Sequence, residues 1–434
     1  MAKERKGPPM KTWGLVKEAN NAYDKEIQQA IKKGKPVVTS SACVPPQMYE
    51  GFDVVHIAGE WYGSICGFHQ DIDALETAEQ CGFPHEVCSY SRMMIGSMIS
   101  DKSWLGKYPR PKAILGVEGM CNMHGKWFET LARYNNIPFF SMDITPIYIE
   151  DLPNWGGGAI RDAVDYATSQ IWNYIDFMEW ALGQKVNVEN MISACINSRV
   201  NEELWDDIMI QWRHVPSPVT IRSLFTYENI IISLICAEEG TKVLSALRDE
   251  LAERIEKGIS GIVDEEIRLL WNAQPGWYIM GVFRFFENLG ATFVASPYLN
   301  MFTHHRPELM RSNVPEWVRE RKDPTNLGEC VEEMAKYLIC HHFRFKVDVQ
   351  VEGIIRLAKE AEIDGGVWHN VRACKGASYG ELSEKAALKK ELDIPGLLIE
   401  GSPADPRDFS EESSWRQIRI FVEQLRGYKK RKKA

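Results

Sequence analysis

The stretch that most constrains the fold runs from residue 113 to residue 143 and reads AILGVEGMCNMHGKWFETLARYNNIPFFSMD. It opens with a short apolar run, Ala113–Val117, which is typical of a buried strand. From about residue 125 the apolar residues recur at helical spacing, and residues 137–142 are again mostly apolar. Strand, helix and strand in this order predict a βαβ unit. Cys121 lies in its first turn, at the sheet edge where open α/β folds bind ligands.

The same order of elements returns near the C-terminus. Residues 366–371 predict a strand, residues 379–392 a helix and residues 396–399 a further strand. Cys374 lies in the turn after the first of these strands, as Cys121 does in its own unit. Two cysteines at matching places suggest an internal duplication, although the sequence identity between the two halves is faint.

A third cysteine, Cys88, precedes residues 89–98, which also predict a helix. A helix N-terminus and a nearby cation, here Arg92, favour the thiolate form that binds metals. We therefore predict that Cys88, Cys121 and Cys374 converge on one iron–sulfur cluster. Because the chain contains no Cys-x-x-Cys pair, these ligands must come together from distant positions.

The bulk composition is that of an ordinary globular protein. The 434 residues, 44% of them hydrophobic, suffice for two or three domains. Neither a membrane-spanning run nor a secretory signal is found, so we expect no membrane association and a cytoplasmic location. The ten cysteines then point to metal binding or catalysis rather than disulfides. A net charge of −9 argues against a nucleic-acid partner.

We predict four segments in chain order. Residues 1–35 form a polar arm and a helix, and residues 36–158 form a first α/β lobe with two of the cluster cysteines. Residues 159–265 form a helical middle domain, and residues 266–434 form a second α/β lobe with the third cysteine. A glycine run at 156–158 marks the first boundary and lacks the lysine of a P-loop. The predicted fold is two Rossmann-like or flavodoxin-like lobes with parallel sheets, a helical middle, and the cluster between the lobes.

Several groups beside these cysteines are candidate proton donors. Glu60, which follows the strand predicted at residues 53–58, is the first candidate, and His124 is the second. His56 and His69 are further candidates, and a hydrogen-bonded structural role is the alternative for each. Three more cysteines lie nearby in the sequence and are expected to be structural, with a role near the cluster left open: Cys43, Cys66 and Cys81.

Four motifs carry a family resemblance. They are CSYSR at Cys88, the strand ending near Cys121 with Gly-Lys beyond it, LLWNAQPGW, and VWHNVRACKGASYGELSEKAALKKELDIPGLLIEG around Cys374, followed by Asp-Pro-Arg. Over residues 36–425 the chain resembles the 2-hydroxyacyl-CoA dehydratase and benzoyl-CoA reductase family. The chain length and the segment VPPQMYEGFDVVHIAGEWYGS are most similar to the B-type subunits of ATP-dependent benzoyl-CoA reductases.

This resemblance implies a cofactor, partners and a reaction. The family's ligands of a [4Fe–4S]-type cluster fall on Cys88, Cys121 and Cys374, and some relatives hold a double-cubane cluster instead. A related second catalytic subunit pairs with each such chain, and an ATP-hydrolysing iron–sulfur activator delivers electrons from reduced ferredoxin. The implied reaction reduces the acyl-CoA substrate benzoyl-CoA by two electrons to a cyclohexadiene-carbonyl-CoA.

Two other functions stay open. A 2-hydroxyacyl-CoA dehydratase subunit, a radical lyase, would recycle the cluster's electron, whereas the reductase consumes two electrons per turnover. A double-cubane electron-transfer protein would bind no acyl-CoA. A pocket lined by His56, Glu60 and Trp61 would favour the reductase, and a blocked channel would favour the electron carrier.

Overall fold

The computed structural model describes residues 5–144, 159–301, 316–341 and 346–433. Within these residues eight strands form two parallel four-stranded sheets. The strands of the first sheet are β1 (Val37–Ser40), β2 (Val55–Ala58), β3 (Ala113–Val117) and β4 (Phe139–Met142). The strands of the second sheet are β5 (Ile267–Asn272), β6 (Ala291–Ala295), β7 (Gly365–Val371) and β8 (Gly396–Gly401).

The two sheets share one strand order. It is β2-β1-β3-β4 in the first sheet and β6-β5-β7-β8 in the second, so each half places its second strand at one edge. The order reverses between β1 and β3, and again between β5 and β7, and such switch points are where doubly wound folds bind ligands. The expected pair of α/β lobes with parallel sheets is confirmed, and the shared order supports the suggested duplication.

Helices cover the sheets and connect the lobes. In the first lobe they are α1 (Trp13–Lys32), α2 (Gln47–Glu50), α3 (Gly59–Phe68), α4 (Ile72–Gln80), α5 (Ser89–Ser100) and α6 (His124–Asn135). In the middle of the chain they are α7 (Ala159–Leu182), α8 (Val188–Trp212), α9 (Ile221–Ser233) and α10 (Glu238–Glu256). In the second lobe they are α11 (Gly281–Asn288), α12 (Pro297–Asn300), α13 (Glu316–Arg319), α14 (Leu327–Cys340), α15 (Val347–Glu360), α16 (Lys375–Ser378), α17 (Glu381–Leu392) and α18 (Glu411–Lys433). None of these helices combines the length and apolar character that a membrane span requires.

Helix α3 is the main local difference from the sequence prediction. The two glycines of GEWYGS suggest a turn after β2, yet these residues begin a helix. Gly63 lets α3 approach α5 closely, because a Cβ atom on Gly63 would lie 2.6 Å from the Tyr90 ring. Gly67 likewise lies against Ala404 of the second lobe, where a Cβ atom would lie 2.8 Å from the Ala404 backbone. Here the glycines serve close packing between elements rather than a turn.

The middle helices share their cores with both sheets. Ile171 of α7 belongs to the same buried cluster as Leu115 of β3. Leu224 of α9 belongs to a second cluster that includes Leu269 of β5. The predicted boundary at residues 156–158 lies outside the described residues, and the domain limits stay a prediction.

Candidate metal centre

A cavity of about 380 Å³ lies between the two lobes. Four of its lining residues follow the carboxyl ends of the central strands: Cys43 after β1, Cys121 after β3, Gln274 after β5 and Cys374 after β7. Each sheet therefore turns its switch point toward the same space. Both halves of the chain contribute to one site at the position that the fold favours for ligands.

All three predicted cluster cysteines line this cavity. Cys88 is the N-cap of α5 and Cys374 is the N-cap of α16, while Cys121 lies three residues before the first residue of α6. The side chains of Cys88 and Cys374 are 8% and 9% exposed. The backbone N–H of Met123 donates to Cys121 Sγ at 3.5 Å. The structure thus brings together three thiols that are far apart in the sequence, and their role as ligands stays a prediction.

The three thiols differ in acidity. Burial raises the pKa of Cys88 to about 12. A hydrogen bond from the Cys121 thiol, helped by the Gln274 side chain and the Ala377 N–H, lowers the pKa of Cys374, and the same bond raises the pKa of Cys121. Cys374 is therefore the thiolate of this pair. A metal centre would replace the protons of the other two thiols, because thiolates are the ligands of metal ions.

The expectation that Arg92 favours a Cys88 thiolate is wrong. The Arg92 guanidinium is committed elsewhere: it donates to Asp405 at 2.9 Å, to Glu79, and to the Val87 carbonyl at 2.9 Å. Desolvation by burial dominates at Cys88 and raises its pKa instead.

The spacing of the thiols separates a cluster from a single ion. Among the described residues, two triads have ligand atoms that all lie within 4.8 Å of one another: Cys43 with Glu60 and His124, and Glu79 with His85 and Asp405. The thiols of Cys88, Cys121 and Cys374 do not form such a triad. A wider triangle of three thiols suits a polynuclear centre, whose ligands bind different metal atoms.

Glu60 and His124 form a close pair on the cavity wall. Glu60 lies in the first turn of α3, and its Oε1 is 2.6 Å from Nε2 of His124, the first residue of α6. Ser41 Oγ donates to Oε1 and the Ala42 N–H donates to Oε2, both at 2.7 Å. Burial opposes ionisation of Glu60, but the His124 charge and these hydrogen bonds outweigh it and lower its pKa. The pair is thus a carboxylate beside an imidazole whose Nδ1 is buried without a partner.

Cys43 lies beside this pair and is 6% exposed. Burial raises its pKa well above that of a free thiol, and the nearby Glu60 adds to the effect. Because the oxygens of Glu60 already accept three hydrogen bonds, we describe this triad as a hydrogen-bonded pair next to a thiol rather than as a second metal site.

Two of the proposed proton donors do not reach the cavity. His56 stacks on Tyr49 with ring centroids 3.7 Å apart, and its Nε2 lies 2.8 Å from Ser40 Oγ. It lines a separate cavity of about 590 Å³, and burial lowers its pKa to about 3. His69 caps the C-terminus of α3 and is exposed. Neither residue is placed among the cysteines, because the sequence position beside a strand end does not fix the direction of a side chain.

One wall of the cavity is not predicted by the sequence analysis. Helix α9, expected only to belong to the helical core, contributes Phe225, Glu228 and Ile232 to the lining. A lone glutamate inside the apolar run of α9 is the signal that could have identified it. The aromatic lining residues come from five different segments and include Trp61, Tyr90, Trp127, Phe225, Trp277 and Tyr298.

The segment that carries Cys88 is bonded to the second lobe. The buried ion pair between Arg92 and Asp405 joins α5 to the loop after β8. Ser402 Oγ and Ser89 Oγ lie 2.7 Å apart, and Trp277 Nε1 donates to the Tyr90 hydroxyl. We call these three contacts the interlobe strap. They hold Cys88 in register with the lobe that carries Cys374.

Two parallel sheets that meet at a cysteine-lined cavity define an α/β protein of two lobes with a candidate metal centre between them. The chain belongs to the family of the 2-hydroxyglutaryl-CoA dehydratase D-component, whose model matches residues 41–425.

Three curated relatives extend over nearly the whole chain. The chain is 22% identical to the alpha subunit of lactoyl-CoA dehydratase from Anaerotignum propionicum, over 96% of this chain and 97% of the relative. It is 24% identical to the alpha subunit of (R)-2-hydroxyisocaproyl-CoA dehydratase from Clostridioides difficile, over 96% and 95%. It is also 24% identical to the B-type polypeptide of benzoyl-CoA reductase from Thauera aromatica, over 95% of both chains. These relatives are parts of enzymes that act on acyl-CoA thioesters, and the similar identities do not separate reductase from dehydratase.

Proposed function

We propose that this chain is the iron–sulfur subunit of a benzoyl-CoA reductase, which reduces the aromatic ring of benzoyl-CoA by two electrons in an ATP-dependent reaction. The observation that carries the proposal is a cavity with three thiols on one side and aromatic side chains on the others. The thiols suit an electron-carrying centre, and the aromatic walls suit a flat, uncharged acyl group.

The residues present fit an iron–sulfur cluster. Cys88, Cys121 and Cys374 would hold it, with a [4Fe–4S] cluster as the proposed form and a double-cubane cluster as the alternative. Three thiols from both lobes, spaced wider than a single ion requires, support this assignment. When bound, such a cluster supplies single electrons at low potential. The protein's own contribution is to bury the thiols and to exclude bulk water from the space beside them.

The walls of the cavity favour an acyl group without a second charge. In the described part of the chain, the lining contains neither lysine nor arginine. A free carboxylate on the acyl group would therefore have no cation to pair with, which is costly in a buried site. Trp61, Phe225 and Trp277 can instead pack against a ring.

Glu60 and His124 are the proposed proton donors for the reduced ring. Addition of two electrons to the ring must be balanced by two protons. His124 Nε2 holds a proton against Glu60, and both side chains line the cavity. His56 is not part of this proposal, because it faces a different cavity.

The proposed partners follow from the division of labour in such enzymes. We propose a related second catalytic subunit, an ATP-hydrolysing iron–sulfur activator, and ferredoxin as the electron source. The names of the relatives, which are alpha-type or B-type polypeptides, support a second subunit. The sequence itself contains no P-loop, which fits an ATPase on a separate chain.

A second candidate function is a 2-hydroxyacyl-CoA dehydratase. It is favoured by the dehydratase relatives, two of which match 96% of this chain. An apolar 2-hydroxyacyl group would fit the same cavity. A double-cubane electron carrier is less well supported, because Phe68, 63% exposed, lines the cavity and leaves it reachable from solvent.

The test uses the anaerobic complex of this chain, its partner subunit and the activator, supplied with ATP and a strong reductant. With benzoyl-CoA we expect a product heavier by two hydrogens, with ATP consumed, measured by mass spectrometry of the acyl-CoA. With (R)-2-hydroxyisocaproyl-CoA as the competing substrate we expect no loss of water. The opposite pair of results would move the chain to the dehydratases.

A further inference from the structure

Glu228 is a buried carboxyl group on the cavity wall that the proposed reaction does not use. It lies on α9, is 2% exposed, and lines the cavity between the lobes. The Tyr298 hydroxyl donates to Glu228 Oε1 at 2.7 Å. The second oxygen, Oε2, is buried and has no hydrogen-bond partner. A buried polar atom without a partner needs an explanation, and a bound ligand is one.

The charges around Glu228 favour its neutral form. The titratable groups nearest to it are Tyr298 on α12 and Tyr90 on α5, and both are neutral at physiological pH because burial raises their pKa values. The other titratable side chains on the cavity wall, apart from the cysteines, are Asp24, Glu60 and His124. Among the described residues no lysine or arginine lines the cavity to stabilise a carboxylate. Burial raises the pKa of Glu228 to about 8.

The proton of the neutral acid therefore lies on Oε2. Oε1 already accepts the hydrogen bond from Tyr298, so Oε2–H is the group that is left to donate. Inside an apolar site a neutral carboxylic acid is a strong hydrogen-bond donor. What the site lacks is an acceptor, and the ligand must bring one.

We propose that Glu228 Oε2–H donates a hydrogen bond to the carbonyl oxygen of the bound acyl thioester. The proposal rests on the proposed function only in that the substrate is an acyl-CoA, and it holds for the reductase and the dehydratase alike. Negative charge develops on this oxygen when the acyl group accepts an electron, so a fixed donor there stabilises the charge. Glu228 keeps its proton throughout and no bond to it breaks.

The experiment observes the thioester carbonyl directly. Benzoyl-CoA labelled with carbon-13 at the carbonyl is bound to the anaerobic complex without ATP or reductant, so that nothing turns over, and its infrared band is recorded. In the wild type we expect the band at lower wavenumber than in Glu228→Leu, together with about tenfold tighter binding. Glu287→Gln is the matched control, because Glu287 is also buried with a raised pKa but does not line the cavity.

The outcomes separate the two proposals. Equal carbonyl bands in wild type and Glu228→Leu, with benzoyl-CoA bound to both, would overturn the role of Glu228 and leave the function intact. If benzoyl-CoA does not bind at all, the proposed substrate is wrong. Glu228 is then tested with carbonyl-labelled (R)-2-hydroxyisocaproyl-CoA, whose thioester is the same.

Glu228→Gln gives a second, independent readout for the case in which the leucine variant does not fold. The amide keeps a donor but has no proton to lose. In the wild type the band shift should disappear as the pH rises above about 8, where Glu228 ionises. In Glu228→Gln the shift should persist at every pH. The same loss of shift in both proteins would assign it to another group and contradict the proposal.

Discussion

Each of the three cavity cysteines precedes a helix, and this placement alone makes them recognisable in the sequence. Their different surroundings are not recognisable in the same way. Burial raises the pKa of Cys88, whereas Cys374 accepts a hydrogen bond from Cys121 that lowers its pKa. The sequence identifies which residues carry sulfur at ligand-binding edges, but acidity depends on the neighbours that folding supplies.

Replacing Cys374 with alanine should remove most of the iron from the anaerobically purified chain, because two thiols then remain for a cluster that needs three. Iron content is measured by a chromogenic assay after desalting. Cys66→Ala is the control: Cys66 is buried in α3 but does not line the cavity, so iron should be retained. Full iron retention in Cys374→Ala would reject the ligand assignment.

Replacing Glu60 with glutamine should lower the turnover rate about a hundredfold or more, the usual contribution of a positioned proton donor. Iron content should not change, which separates proton transfer from cluster loss. The matched control is His56→Gln, since both residues are donors predicted from the sequence and only Glu60 lines the cavity. Equal rates in the two variants would contradict this role for Glu60.

At the scale of elements, the interlobe strap determines how α5 and the second lobe meet. Arg92 and Asp405 are 1% and 0% exposed, and 313 positions separate them in the chain. No local pattern predicts such a pair. Helix α3 belongs here too, because its glycines allow close packing that a sequence pattern does not distinguish from a turn.

Replacing Arg92 with methionine should lower the free energy of unfolding by about 3 kcal/mol, because it leaves the buried carboxylate of Asp405 with less compensation. Denaturant unfolding of the purified chain measures the change. Arg133→Met is the control: Arg133 pairs with Glu129 on an exposed helix face, and we expect no measurable change there. A strap that matters only for cluster position would leave stability unchanged and shift iron content alone.

At the scale of the whole molecule, buried acids make stability depend on pH. Burial raises the pKa of Glu381 to about 8, and both of its side-chain oxygens lack partners. The unfolded chain releases this proton near the ordinary value of 4.5. The folded protein therefore holds more protons between these values. Its contribution to stability is fully present below about pH 4.5 and is lost as the pH rises through 8.

Glu381→Gln, which stays neutral, should remove this dependence. The stability of the variant relative to the wild type should rise between about pH 5 and about pH 8, by about 4 kcal/mol at the upper end. Thermal unfolding at several pH values measures it. Parallel curves for the two proteins would show that Glu381 does not carry the effect.

The sequence by itself determined the two parallel-sheet lobes and the three cysteines at their ligand-binding edges. Apolar strands, helical periodicity and turn positions are local properties, so they can be read along the chain. Only the tertiary structure decided which side chains share the cavity. It brought in Glu228 from α9, paired Glu60 with His124, and directed His56 into a different cavity. These outcomes depend on contacts between residues far apart in the chain and on side-chain directions, which local periodicity does not specify.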